Sequence, residues 1–170
     1  MTSGEASADS RHAVPCEANH FLAAHAALLA RSYRHWIGRN LVDPALPARD
    51  AARALYHAPW VVLSHDAASD PRFTYANEAA QRLFEMPWSE LVGMPSRHSA
   101  EAVARAERDR LLARVAADGY IENYSGVRIA RSGRRFRVRN AVAWNLVDDV
   151  GGVCGHAACF GDWEPIGGHA

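Results

Sequence analysis

The chain has no lysine; all 19 of its basic residues are arginine. A phosphate-loop lysine, a kinase-type ATP lysine and any Schiff-base or pyridoxal lysine are therefore excluded. Net charge is also missing: Asp and Glu number 19, so the formal balance is +0. Without an excess of either sign there is no global pull toward nucleic acid or an anionic membrane. Cysteine is scarce, at three residues. Cys154 and Cys159 fall on one expected strand, and at roughly 3.3 Å per residue they stand about 16 Å apart, beyond disulfide reach. Such usage suits a reducing compartment. No run approaches the roughly 18 apolar residues of a membrane span, and no apolar leader follows Met1. The expected location is cytoplasmic, with no membrane partner.

Catalytic signatures are equally thin. The nine histidines form neither HExxH nor a zinc-spaced Cys/His pattern, and His12, His20, His25 and His169 lie near the ends. There is no GxSxG elbow and no carboxylate pair suited to acid–base work. The chain is expected to be non-enzymatic, with no metal and no catalytic residues.

What is present reads as one globular domain. The 170 residues are 49% hydrophobic and 22% charged, enough to bury a sizeable core. Residues 1–17 read as a disordered polar tail, 18–163 as the domain and 164–170 as a second tail. The organising stretch is 73–97. It opens with the aromatic strand Phe73-Thr74-Tyr75-Ala76. Asn77 is placed to cap a short helix, with Glu78 favourable in its first turn. Ala79, Ala80, Leu83 and Phe84 give that helix an apolar face. Pro87 closes it, and a second turn ends at Gly93.

Upstream, a helix is expected over about 19–37, with Leu22, Leu29, Tyr33 and Trp36 on one side, and another over 47–57 between Pro47 and Pro59. The run 60–65 and the segment 72–77 read as a hairpin. Downstream, 99–118 reads as the longest central helix. Its charges, Arg105 with Asp109 and Glu107 with Arg110 or Arg114, are expected on a solvated face. Three strands follow, 120–130, 134–147 and 153–160. Uninterrupted alternation in the middle one puts Phe136, Val138, Asn140, Val142, Trp144 and Leu146 on one face, and Arg135, Arg137, Arg139, Ala141, Ala143 and Asn145 on the other.

Tyr75, Asn77, Ala79, Leu83, Phe84, Glu90, Leu91 and Gly93 resemble the opening of a PAS domain. The full order, helices, two strands, three helical pieces and three long strands, resembles the PAS arrangement around a five-stranded antiparallel sheet. More closely, LLARSYRHWIGRNL (28–41), APWVVLSHD (58–66), YANEAAQRLFEMPW (75–88), MPSRHSAE (94–101), RAERDRLLARV (105–115), YSGVRIARSGRRFRVRNAVAWNL (124–146) and GHAACF (155–160) resemble the MEKHLA domain, a PAS-related module that in plants ends homeodomain–leucine-zipper transcription factors. No homeodomain or heptad zipper is present here, so DNA binding does not follow.

The resemblance implies an α+β, PAS-like fold acting as a sensory or regulatory module, with an extra N-terminal helix and a ligand pocket between sheet and helices. Its expected lining is Phe84, Trp88, Arg97, Tyr124, Trp144 and His156, with Arg97 a fork for carboxylate or phosphate. Leu22, Leu29, Tyr33 and Trp36 are expected to form a dimerisation or docking helix. The expected partners are a second copy, a small molecule and a signalling protein. No flavin or haem is expected: Met94-Pro95-Ser96-Arg97-His98 stands where light-oxygen-voltage photoreceptors carry their cysteine, and 99–118 has no histidine. Cys159 is weighed as a redox sensor, and the arginines 128, 131, 134, 135, 137 and 139 as a phosphate-binding ribbon, with nucleic acid not expected. The rival readings are an interaction module with a filled core and, third, a small-molecule enzyme.

Overall fold

The computed structural model describes residues 13–167; the first twelve residues of the expected tail, and the last three, fall outside it. Five helices and six strands follow in order: α1 (Ala23–Ile37), α2 (Ala48–Tyr56), β1 (Val61–Asp66), β2 (Phe73–Ala76), α3 (Glu78–Phe84), α4 (Trp88–Leu91), α5 (Ala102–Asp118), β3 (Tyr120–Ile129), β4 (Arg135–Val147), β5 (Val153–Phe160) and β6 (Asp162–Pro165). Short 3-10 turns occupy Glu17–Leu22 and Ser96–Ser99. The fold is α+β. The strands form one antiparallel sheet in the order β2-β1-β5-β4-β3, with β6 paired to β4.

Both expected tails are shorter than the composition suggests. Glu17 sits in the first 3-10 turn and pairs with Arg49 and Arg53. Residues 162–165 extend the sheet as β6, with Trp163 opposite Val138.

Asn77 shows why the opening motif needs an amide at that position. It is fully buried, and its Oδ1 accepts from Ala80 N, capping α3, and from Val62 N, both at 3.1 Å. Its Nδ2 donates to Trp60 O at 2.8 Å and Leu55 O at 3.2 Å. One side chain thereby ties α2, β1 and α3 together. Asn can serve this role because it carries two donors and an acceptor on one planar group.

The alternation expected along β4 breaks in the middle. Asn140 has φ 52 and, across the ladder, Asn123 of β3 has φ 56. The pairing between β3 and β4 shifts register on either side of Tyr124. These are β-bulges, each with an asparagine in the left-handed region that this residue tolerates. A bulge adds one residue and reverses the parity of all that follows. Phe136 and Val138 therefore share a core with α3 and α4, whereas Trp144 and Leu146 belong to a second core against α1 and α2. Ala141 and Ala143 take over the first face.

The sheet is consequently covered on both sides. On one, α1 lays Leu29 and Tyr33 onto Trp144 and Leu146; the Tyr33 and Trp144 rings meet edge-on at 4.9 Å. Trp36 Nε1 donates to Asn145 O at 3.0 Å, and Ser32 Oγ accepts from Val147 N at 2.9 Å. The four residues expected to form a dimerisation or docking helix instead turn toward their own sheet. Leu29 and Tyr33 are buried in their own chain, and Leu22 and Trp36 are half-buried against the same core. The sheet alone would leave Val62, Trp144, Leu146 and Ala157 uncovered, and α1 is what hides them. Among the described residues no helix is long and apolar enough to cross a membrane.

Candidate functional site

On the other side, between β1, β2, β3, β4 and β5 and the helices α3 and α5, lies a cavity of about 90 Å³. The bulge in β4 shapes it. By turning the indole of Trp144 to the opposite face it leaves only Ala141 and Ala143 on this stretch of wall, and Ala158 of β5 faces the same space. Three small side chains in adjacent positions leave a hollow that large ones would fill. Phe73, Phe84, Leu111, Val115, Val138 and Phe160 make much of the remaining apolar lining.

The polar part of the wall comes from α5, β1, β3 and β5. Arg108 is 6% exposed. It donates to Ser96 Oγ and, at 3.3 Å, to Oδ1 of the exposed Asp109. Burial, and then the neighbouring guanidinium of Arg128, hold its proton affinity below the usual arginine value. Arg128 donates to Val127 O at 2.8 Å and to the Tyr124 hydroxyl at 3.2 Å, and it lies over the Tyr124 ring. Gly126 makes this possible. A Cβ there would fall 2.3 Å from the Tyr124 hydroxyl, so only glycine lets the phenol lie along β3 to reach Arg128.

His65 and His156 face each other across the β1–β5 ladder, ring centroids 5.1 Å apart. Desolvation lowers His65 to about 4 and pushes His156 in the same direction. Both are therefore neutral at physiological pH. His65 Nδ1 donates to Asp66 O at 2.8 Å, which leaves the lone pair on Nε2. His156 Nδ1 is buried without a partner among the described residues.

Of the six expected pocket residues, Phe84, Tyr124 and His156 line the cavity, and Trp88, Arg97 and Trp144 do not. Trp144 is on the far side of the sheet because of the bulge. Trp88 is buried in that same second core, edge-on to Tyr75 at 5.6 Å. Arg97 does hold a carboxylate, but its own chain's: its guanidinium lies 2.7 Å from both oxygens of Asp70, outside the cavity. Sequence reasoning missed Arg108 and His65, the buried arginine being the more consequential. A signal for it existed, since Ala104, Arg108, Leu111 and Val115 all fall on the buried stripe of α5.

The other candidates also find places. Cys159 lies on the helix α1 side beside Val62 and Val142, and burial pushes its thiol up to about 12. A thiol so far from ionisation does not fit the redox-sensor reading. Arg131, Arg134, Arg135 and Arg139 pair with Glu90, Glu85, Glu101 and Glu164, so the arginine ribbon is largely matched by acids. Among the described residues no three His, Cys, Asp or Glu gather as metal ligands.

Comparison with known proteins agrees with this architecture. The profile of the MEKHLA domain matches residues 23–165. The Homeobox-leucine zipper protein HOX29 of Oryza sativa subsp. japonica is 27% identical over 135 residues, which is 78% of this chain and 15% of that protein. This chain thus corresponds to a small part of its relative. The PAS domain of a protein from Colwellia psychrerythraea superposes with a TM-score of 0.60 at 10% identity, covering 69% of this chain and 95% of that one. An RNA-binding light-oxygen-voltage receptor gives 0.60 at 20% identity, covering 71% and 34%. At such identities the likeness to these structures is one of fold.

Proposed function

The chain belongs to the MEKHLA domain family, and from that premise we propose that it is a non-catalytic sensory or regulatory module whose input is a small molecule held in the cavity between sheet and α5. The observation that carries the reading is the cavity itself: apolar walls, one polar end, and a position shaped by the two asparagine bulges rather than by loose packing. Protein interiors are otherwise close-packed, so a hollow of this kind calls for an occupant. Its volume of about 90 Å³ is well below the roughly 300–1,000 Å³ of sites for drug-sized ligands. The proposal therefore takes a small ligand and neither flavin nor haem.

The output in this proposal is the packing of α1. Ser64 sits in β1 between Leu63 and His65, which both line the cavity, and its Oγ is hydrogen-bonded to His25 Nε2 of α1 at 2.9 Å. One strand thus separates ligand from helix, and a shift of β1 alters the seat of α1 directly. A partner signalling protein or a second copy would read the position of α1 from its solvent side, where Arg31, Arg34 and His35 are exposed.

Native mass spectrometry of the purified chain beside a denatured control tests the input. A retained non-covalent small molecule, lost on replacing Ala143 by Leu to fill the cavity, is the expected result. A chain that retains nothing, and whose stability is raised by no small molecule in a thermal-shift screen, overturns it and leaves the pure interaction module.

A further inference from the structure

We propose, building on the small-ligand reading above, that the cavity selects short-chain aliphatic carboxylates, with the carboxylate held between Arg108 and Arg128 and the hydrocarbon against Leu111, Val115, Val138 and Phe160. The first ground is the charge of the wall. Its ionisable residues include two arginines and two histidines and not one aspartate or glutamate. A buried cation is costly unless it is paired, and the pairing at hand is thin. Arg108 has five N–H donors. The structure spends one on the Ser96 hydroxyl and one on Asp109, a carboxylate that lies largely in solvent. Three remain.

Arg128 adds to the same excess. Both of its hydrogen-bond partners, a carbonyl and a phenol, are neutral, and among the described residues no carboxylate pairs with it. Asp70, whose charge reaches Arg108, is already engaged by Arg97. Both guanidinium-bearing residues line the one cavity, and the charge of Arg128 disfavours that of Arg108; one carboxylate placed between them would satisfy and neutralise the pair.

The second ground is shape. Away from its polar groups the wall is hydrocarbon, from Leu63, Phe73, Leu111, Val115, Val138 and Phe160 among others, so a bare inorganic anion would leave that apolar part of the cavity empty. Size sets the upper limit: a cavity of about 150 Å³ accepts benzene, and this one, at about 90 Å³, suits a smaller aliphatic body. The third ground is the unpaired Nδ1 of His156. It gives the cavity wall a further hydrogen-bonding group that no atom among the described residues uses.

The test is calorimetric titration of the full chain with propionate, butyrate and isovalerate, each beside its primary amide, and with inorganic phosphate. The acids are expected to bind at least tenfold more tightly than the amides. Arg108→Met and Arg128→Met should each reduce that preference, weakening the acids far more than the amides. Arg128 is half-exposed, so its variant keeps the test valid if the buried substitution prevents folding. Equal binding of acid and amide overturns the carboxylate assignment and leaves the small-ligand reading standing. Phosphate binding as tightly as butyrate overturns it too, because the apolar wall would then be unused. If neither acids nor amides bind, the carboxylate assignment falls; the small-ligand reading beneath it falls as well only if the chain also retains nothing in native mass spectrometry and no small molecule raises its stability.

Discussion

Gly119 lies under the indole of Trp36 so closely that a Cβ on it would fall 2.3 Å from the Trp36 Cζ3. The contact joins the C-terminus of α5, on the cavity side, to the last turn of α1, on the other. Gly119 also has φ +90, where a side chain is strained whatever the space. Gly119→Ala should therefore cost at least about 2 kcal/mol, combining left-handed strain with overpacking. Denaturant unfolding of the two proteins checks it, and an unchanged midpoint would show that Trp36 is free to move away.

Asn77 predicts a larger effect. Replacing it with Ala leaves Val62 N and Ala80 N without their acceptor, and Leu55 O and Trp60 O without their donor. Unsatisfied buried groups cost about 1–3 kcal/mol each. Asn77→Ala should lose at least about 3 kcal/mol. Asn77→Asp should be no better than partial rescue, since its second oxygen would face two carbonyls. Urea melts of both variants decide this.

The bulge at Asn140 makes a prediction by comparison. A β-branched residue resists φ near +52, at a cost of roughly 1–2 kcal/mol. Asn140→Val should be destabilised by about that amount, whereas Asn140→Gly should stay close to wild type and lose only an exposed hydrogen bond to Asp162. If both variants melt alike, backbone conformation is not what asparagine supplies there.

Buried histidines set the acid limb of stability. His25 and His65 are both lowered to about 4 by desolvation, against about 6.5 in an unfolded chain. Their folded pKa values lie below the unfolded ones, so the native state binds fewer protons in that interval. Stability is then fully present above about pH 6.5 and falls as pH drops toward 4, by on the order of 3 kcal/mol for each residue. Urea unfolding at pH 7, 5.5 and 4.5 measures the slope. His65→Asn should flatten it; a slope unchanged by that substitution would assign the loss to other groups.

Thiol reactivity separates the cysteines. Cys16 and Cys154 are exposed, while Cys159 is raised to about 12 in the core against α1. Brief alkylation of the native chain at pH 8 should label the first two and spare Cys159 until denaturant is added, as peptide mass spectrometry would read. Rapid labelling of Cys159 in the native state would mean that α1 lifts from the sheet without a ligand.

The sequence by itself determined the elements and their order. Local signals were enough for that: the capping asparagine at 77, the prolines that bracket α2, the glycine at the end of α5, and the period-2 pattern in each half of β4. These depend on residues a few positions apart, and the helices and strands form where they indicate, apart from β6 and the 3-10 turn at Glu17–Leu22, which the local pattern did not mark. The fold class and the family resemblance followed from that order. Which face each strand segment presents was decided only in three dimensions. A single left-handed residue at 140 reverses the parity of everything after it, and an asparagine in a strand carries no mark that distinguishes a bulge from a surface position. That reversal moved Trp144 out of the expected pocket and put alanines in its place. It also gave α1 an apolar sheet face to cover, so Leu29 and Tyr33 found their partner within the chain. Arg108 was hidden for the converse reason. On a helix rich in charge its side chain looks solvated, and only the approach of β3 and the Ser96–Ser99 turn removes it from water. Burial depends on what packs on top, and that is a property of contacts distant in the chain.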